Sequence, residues 1–436
     1  MKSDRATPIS SRTRRYGLNH TPSWGPRTYT VGGFDTPPRV LLYSHDTFGL
    51  GHLRRNLAIA AHLLERPRPF AARLLTGSPV AASWPMPAGL EVQTLPPVVK
   101  TGAEEYASRD GLTSFTATRA EREAVILETA MRYAPDVLLV DHAPAGMKGE
   151  LLETLHYLKN ERPQTRIVLG LRDILDSPDA VCALWHEQDI YRLLETTYDG
   201  ILVYGSQHLF DVVSAYRFPQ SVAAKTYYCG YVARIAETAR LTNDHAARGD
   251  ASSPTILVTA GGGGDGYPLQ SAYLQALDDV PHGSLRSVLV SGPLMASEER
   301  AALEAAAAQM AGVTICPFTT DLPDMIAHAD LVVAMAGYNT TAEIMVARKP
   351  AILVPRGAPR REQRLRAALL SGLGLAWAVR PEEDLVRRLA ALIKHALAGQ
   401  RPPCHDWDAV DLGGAHRVGQ ALDEMLGERC IAEIPL

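Results

Sequence analysis

An α/β fold in two doubly wound halves is what this sequence predicts. Three observations lead there. Apolar runs of strand length recur along the chain and alternate with stretches whose apolar positions repeat at helical spacing. Glycine-containing turns follow such runs and lead into helices at 49–52, 261–266 and 337–340, which is the grammar of parallel βα units. The length of 436 residues allows two or three domains, and 46% apolar with 21% charged side chains is enough to bury complete cores.

Residues 1–38 are rich in Ser, Thr, Pro and Gly and carry six Lys/Arg against two Asp. A flexible basic tail is expected, with at most weak peripheral attraction to an anionic membrane surface. The first strand is Arg39 to Ser44, followed by HDTFGLGHLRRN and a helix from about Leu53 to Leu64. Strands are predicted at 72–76, 91–95, 137–141, 167–171 and 200–204, with helices at 120–133 and 148–161. Residues 102–114 look like a loop. Tyr227 to Arg234 reads as the passage between halves, and 243–254 is small and polar, so a boundary is set near 232. The second half, 233–436, repeats the alternation. Its strands are expected at 255–260, 287–291, 313–316, 330–334, 351–354 and 375–379, with a last helix near 413–426.

Composition excludes several functions. A formal charge of −4 gives no case for a nucleic-acid partner. Cys182, Cys229, Cys316, Cys404 and Cys430 are odd in number, far apart and lack zinc spacing, which points to the cytoplasm. No stretch is long and apolar enough for a transmembrane segment. Arg14-Arg15 is followed by no apolar region, so no export signal is expected. Asp406-Trp407-Asp408 is a D-x-D outside any strand-end context, so no metal is expected.

The chemistry concentrates in 329–366, ADLVVAMAGYNTTAEIMVARKPAILVPRGAPRREQRLR. Here a strand, a turn at Gly337, a helix and a second strand follow one another. Backbone N–H groups and the positive dipole end at such a turn suit a phosphate. Glu343 lies one helical turn further in, and Glu362 with Gln363 follows the next strand. A phosphate turn, a carboxylate for vicinal hydroxyls and a second polar pair are what a nucleotide-sugar needs. Thr340 to Glu343 also fits a capping box, which needs no ligand. Gly261, Gly263 and Gly266 spell G-x-G-x-x-G, but the next strand ends in Ser-Gly-Pro without the acidic residue a dinucleotide site requires.

This constellation resembles GT-B glycosyltransferases, and most closely the family 28 C-terminal domain, which includes the bacterial GlcNAc transferase of peptidoglycan synthesis. It is also similar to the plant UDP-glycosyltransferase signature. The resemblance implies two Rossmann-like domains facing across a cleft, with the terminal helix returning to the first. It implies an inverting, metal-independent transfer from a nucleoside-diphosphate sugar, a UDP-sugar by expectation, to an unknown acceptor hydroxyl. The donor residues would be Gly261, Gly262, Gly263, Gly337, Tyr338, Asn339, Thr340, Glu343, Glu362 and Gln363.

In the loop Gly49-Leu50-Gly51-His52, the resemblance makes His52 the base, with a structural role as the alternative. Gly49, Gly51, Arg54, Arg55, His142 and Asp173 are expected on the phosphate or acceptor side, although Arg172-Asp173 equally suits a structural ion pair. Two departures stand out. Met335 replaces the signature His of the plant enzymes, leaving Arg54, Arg55, Arg360 or Arg361 to face the diphosphate. Arg366 stands where the peptidoglycan enzyme has a sugar-contacting Asn. A nucleotide-sugar epimerase or hydrolase, or a non-catalytic nucleotide-sugar-binding partner, are the competing functions on this fold.

Overall fold

The computed structural model describes residues 36–46, 50–100, 106–109, 111–234, 253–281, 285–357, 361–380, 383–403, 407 and 410–427. The expected tail therefore falls almost entirely outside the described residues, as do Gly49, Arg360, Asp406 and Asp408.

The first half contains β1 (Arg39–Ser44), β2 (Ala71–Thr76), β3 (Glu91–Thr94), β4 (Val98–Lys100), β5 (Tyr106–Ser108), β6 (Val137–Asp141), β7 (Arg166–Arg172), β8 (Gly200–Tyr204) and β9 (Thr226–Tyr228). Seven of them form a sheet in the order β3-β2-β1-β6-β7-β8-β9, with every pair parallel. The second half contains β10 (Thr255–Thr259), β11 (Arg286–Val290), β12 (Val313–Cys316), β13 (Leu331–Ala334), β14 (Ala351–Leu353) and β15 (Trp377–Ala378). They form a parallel sheet in the order β12-β11-β10-β13-β14-β15. The central strands β1, β6, β8 and β13 carry almost uninterrupted apolar side chains because helices cover both faces of each sheet.

Both sheets reverse their winding once, the first between β1 and β6 and the second between β10 and β13. Ligands bind beyond the strand ends at such reversals. The loops there are 45–52 with 141–142 in the first half, and 260–266 with 335–338 in the second. The two crevices face each other.

The last helix, Gly414–Leu426, packs on the helix Gly51–Glu65 of the first half. Arg66 donates to Gly419 O at 3.1 Å and pairs with Asp423, while Arg166 Nε donates to Met425 O at 2.9 Å. The helix start touches the passage between halves, where a Cβ on Gly414 would stand 2.5 Å from the Tyr231 carbonyl. One expectation fails: 102–114 is not wholly loop, since β5 pairs antiparallel with β4. The run is too short and too mixed to show a strand period.

Candidate active site between the two sheets

His52 sits at the mouth of its helix with its side chain 12% exposed. Its Nδ1 lies 2.6 Å from Asp141 Oδ2 at the end of β6. Arg55, one helical turn on, grips the same carboxylate with two bonds, Nε to Oδ1 at 2.9 Å and Nη2 to Oδ2 at 2.6 Å. Burial alone would raise Asp141, but the Arg55 charge and the His52 bond outweigh it and hold the carboxyl well below its usual range. An ionised Asp141 only accepts, so His52 carries its proton on Nδ1 and leaves the Nε2 lone pair for a substrate. Burial lowers the His52 pKa, and the nearby Arg55 and Arg172 charges oppose what Asp141 gives back.

That direction sets a pH dependence. His52 titrates below the ordinary imidazole value of about 6.5, so the neutral base persists into mildly acidic solution. The acid limb of a pH–rate profile should therefore fall below about pH 6.5. The protonated fraction favours the unfolded chain in the same window, so His52's contribution to stability declines as pH drops from that value through its lowered pKa. Transfer rate and urea midpoint measured from pH 4 to 9 check both.

The imidazoles of His45 and His142 surround His52, at 4.4 Å and 5.3 Å between ring centroids. His142 adopts a positive φ of 70°, a conformation uncommon outside glycine that concentrates at functional sites.

Across the cleft, a helix runs from Tyr338 to Val346 with Gly337 as its N-cap and no side-chain cap. This overturns the capping-box alternative. Thr340 lies inside the helix, and the Glu343 carboxylate turns to Arg54 of the first half, forming a buried ion pair. Its second oxygen, Glu343 Oε2, is buried with no hydrogen-bond partner among the described residues, and so is Glu362 Oε2. Buried carboxylate oxygens are rarely left without a donor, so both await one.

The first N–H groups of this helix have no carbonyl within the helix to meet. The space at Gly337 and Gly261 is open, with nothing within 4 Å of where a side chain would begin. Gly263 is different: at φ 90° a Cβ there would meet the Ser291 carbonyl at 2.2 Å. Gly262 packs in the same contact, so these two glycines lock the loop after β10 onto the loop after β11. That packing, without an acidic residue after β11, accounts for the literal G-x-G-x-x-G.

Several expected residues serve the contact between halves. Asn339 Nδ2 donates to Gly51 O at 2.9 Å. Tyr338 is buried, stacks on Tyr231 at 5.8 Å, accepts from Val232 N at 2.9 Å, and lies under the guanidinium of Arg55. Thr340 is buried beside it. Glu362 and Gln363 instead stay within the second half: Glu362 pairs with Arg356, whose backbone N–H donates to Gln363 Oε1 at 3.2 Å.

Three expectations need correction. Asp173 does not pair with Arg172; it receives two bonds from Arg366, Nε at 3.0 Å and Nη2 at 2.7 Å, and one from Tyr231 at 3.1 Å. At 1% exposure it faces no acceptor. Arg55, equally buried, is committed to Asp141 rather than to a phosphate. Arg366 places Nη1 on Ala336 O at 2.8 Å, so all three of its nitrogens are engaged away from any sugar. Arg361 is exposed and meets Asp176 through its backbone N–H.

Other residues escaped the sequence. Asp46 accepts from Leu53 N at 3.1 Å and from Thr76 Oγ1 at 2.5 Å, fixing the helix that carries His52. Arg122 and Glu150 form a fully buried pair beneath the site, and Arg122 also donates to His45 O at 3.3 Å. Arg234 lines the cleft cavity with Arg54 and donates to Thr320 O at 3.0 Å. Asp46 follows β1 closely, a strand-end position that could have flagged it. Arg122 and Glu150 look like any solvated helix or loop charge, and only their burial reveals them.

Residues 256–404 match the glycosyltransferase family 28 C-terminal domain. A UDP-N-acetylglucosamine--N-acetylmuramyl-(pentapeptide) pyrophosphoryl-undecaprenol N-acetylglucosamine transferase of Methylobacterium sp. (strain 4-46) is 32% identical over 198 residues, covering 44% of this chain and 52% of that protein. The counterpart from Methylobacterium nodulans is 36% identical over 142 residues, 32% of this chain and 38% of that one. The chain thus spans about half or less of the length of these relatives. Among solved structures, MurG of Acinetobacter baumannii superposes with a TM-score of 0.52 at 14% identity, covering 90% of this chain and all of that one. A putative UDP-N-acetylglucosamine 2-epimerase from Listeria monocytogenes gives 0.59 at 12% identity over 92% of this chain and all of that one. At such identities the superpositions speak for the fold alone. Residues 256–404 thus match the glycosyltransferase family 28 C-terminal domain, and the fold of the chain is that of the GT-B glycosyltransferases.

Proposed function

We propose that the protein transfers a sugar from a nucleoside diphosphate, UDP by expectation, to an acceptor hydroxyl, with inversion and without a metal. In this reading residues 39–232 take the acceptor and 233–436 the donor. The observation that carries it is the second carboxylate oxygen of Glu343, buried and unpartnered one turn inside a helix whose glycine N-terminus opens on the cleft. A ribose hydroxyl donates to that oxygen while Arg54 holds the other. The diphosphate lies at Gly337 and Gly261, where helix N–H groups meet the charge that grows on the leaving group. Arg54 and Arg234 supply positive charge from the side, the role Met335 leaves vacant. Glu362 Oε2 is placed for a sugar hydroxyl.

The acceptor hydroxyl enters from the first half, gives its proton to His52 Nε2, and attacks the anomeric carbon as the diphosphate departs. Asp141 steadies the imidazolium that forms. Among the described residues no helix is long and apolar enough to cross a membrane. The described cysteines, Cys182, Cys229 and Cys316, are free thiols, which supports a cytoplasmic site of action.

A thermal-shift screen against UDP-, dTDP- and GDP-sugars tests the reading, since a ligand that binds the native state alone raises the melting temperature. Glu343→Ala should weaken nucleotide binding by about 1–3 kcal/mol, measured by calorimetry. Unchanged affinity with a lower melting temperature would leave Glu343 a purely structural partner of Arg54. A second reading on the same fold is epimerisation or hydrolysis of the donor. That activity would consume the nucleotide-sugar with no acceptor present.

A further inference from the structure

Arg55 spends the edge of its guanidinium on Asp141, and Asp141 holds His52. The same guanidinium lies over two phenol rings. Tyr204, the last residue of β8, belongs to the first half, and its ring centroid is 5.7 Å from the guanidinium carbon. Tyr338 belongs to the second half, and its ring centroid is at 5.3 Å. A guanidinium within about 6 Å of a ring face is attracted to it, and more strongly where water is excluded. All three side chains are buried. Tyr338 is itself fixed by its surroundings: Val232 N donates to its hydroxyl at 2.9 Å, Tyr231 stacks on it, and the Arg366 guanidinium lies 5.9 Å from its centroid. It is also the first residue of the helix whose start is the proposed diphosphate site.

We propose that Tyr338 is a positioning residue for the His52 base, acting through Arg55 and Asp141 from the opposite half of the molecule. The inference rests on the transfer reading above and adds a line of contact to it, from Tyr338 to Arg55 to Asp141 to His52. In that reading the main-chain N–H of Tyr338 fronts the diphosphate, while its side chain steadies the arginine that holds the carboxylate. The base is then complete only when the two halves are together. An open cleft leaves Arg55 braced by Tyr204 alone, and an acceptor that arrives before closure meets a poorly oriented imidazole. The charged and titratable groups around His52 are His45 and Asp46 after β1, Asp141 and His142 at the end of β6, Arg55 on its own helix and Arg172 at the end of β7. Of these, Arg55 is the one that lies on the Tyr338 ring. Taking the ring away frees Arg55 to leave Asp141. The positive charge beside His52 then recedes, the carboxylate stabilises the imidazolium unopposed, and His52 titrates at higher pH.

The test titrates the full chain, carrying isotope-labelled histidine, from pH 4 to 9 by NMR. The His52 signal is assigned by its absence from His52→Ala. In Tyr338→Leu it should titrate at higher pH than in the wild type. Tyr338→Phe keeps the ring and should restore the wild-type midpoint. Arg66→Ala cuts the contacts to Gly419 and Asp423 between the halves without touching Arg55, and should leave the midpoint in place. Turnover, read as release of nucleoside diphosphate, should fall about 5- to 30-fold in kcat for Tyr338→Leu, the range that one buried cation–ring contact allows. Donor KM should change less than about threefold, because the main-chain N–H survives the substitution. If Tyr338→Leu does not fold, a ring-fluorinated phenylalanine at position 338 carries the test. Its shape is close to that of Phe and its ring face holds a cation more weakly, so its His52 midpoint should lie above that of Tyr338→Phe. The proposal is overturned if Tyr338→Leu, or the fluorinated ring in its place, keeps the midpoint and kcat of Tyr338→Phe while His52→Ala loses transfer. It is also overturned if Arg66→Ala moves the midpoint as far as Tyr338→Leu. If His52→Ala turns over like the wild type, the base reading falls and this inference falls with it.

Discussion

Replacing His52 by Ala should slow sugar transfer by about 10²- to 10⁴-fold, the usual contribution of a positioned general base. The measurement is release of nucleoside diphosphate, using the donor that raises the melting temperature and an acceptor that the wild type accepts. Donor affinity should hardly change, because His52 lies on the first half and the proposed ribose and phosphate contacts lie mainly on the second. The geometry behind this is a two-part device. Asp141 fixes the tautomer through Nδ1, and Arg55 fixes Asp141 through a two-point grip. Asp141→Asn should therefore also slow transfer, and should move the acid limb as well, since it removes both the anchor and a compensating charge. Wild-type turnover in His52→Ala, with the fold intact, would leave the chain a nucleotide-sugar binder rather than a transferase.

Arg366→Ala should destabilise the protein by about 3–5 kcal/mol, the cost of stranding a buried partner charge. Arg366 and Asp173 are 1% exposed and come from opposite halves, so the loss also loosens the cleft. Asp173→Ala should do the same. A combined Arg366→Met, Asp173→Leu protein should recover most of the loss, because two apolar side chains of similar volume avoid the desolvation that a buried pair incurs. Urea denaturation of the three variants reads this directly. Single variants costing less than about 1 kcal/mol would show the pair behaving like a solvent-exposed one. The ion pair also gives Arg366, a departure noted in the sequence, its use: it joins the two halves.

The fold was legible because its signals are local. Strand-length apolar runs such as 137–141 and 200–204 have only one use in an alternating chain, a strand covered on both faces. The glycine turns at 261 and 337 were legible for a related reason, since small residues between a strand and a helix mark where a backbone must stay open to a ligand. Partners were not legible. The sequence set Arg172 beside Asp173 and invited a pair, yet the side chain that reaches Asp173 lies 193 residues away. It offered Thr340 and Glu343 as a cap, yet Glu343 turns to Arg54, 289 residues away. Arg122 and Glu150 gave no sign of burial at all, because a charge on a helix face carries no local mark of what packs over it.

By itself, then, the sequence determined the two parallel sheets, the glycine turns at their strand ends, and the residue types available for a phosphate, a ribose and a proton. Those properties follow from spacing along one strand or one helix, and short-range geometry enforces them. Only the tertiary structure decided which charges meet. Asp141 went to His52 and Arg55, Glu343 to Arg54, and Asp173 to Arg366, because winding reversals in two separate sheets bring distant strand ends to one cleft. Once water is excluded there, each charge must find its counterion from whichever half supplies it.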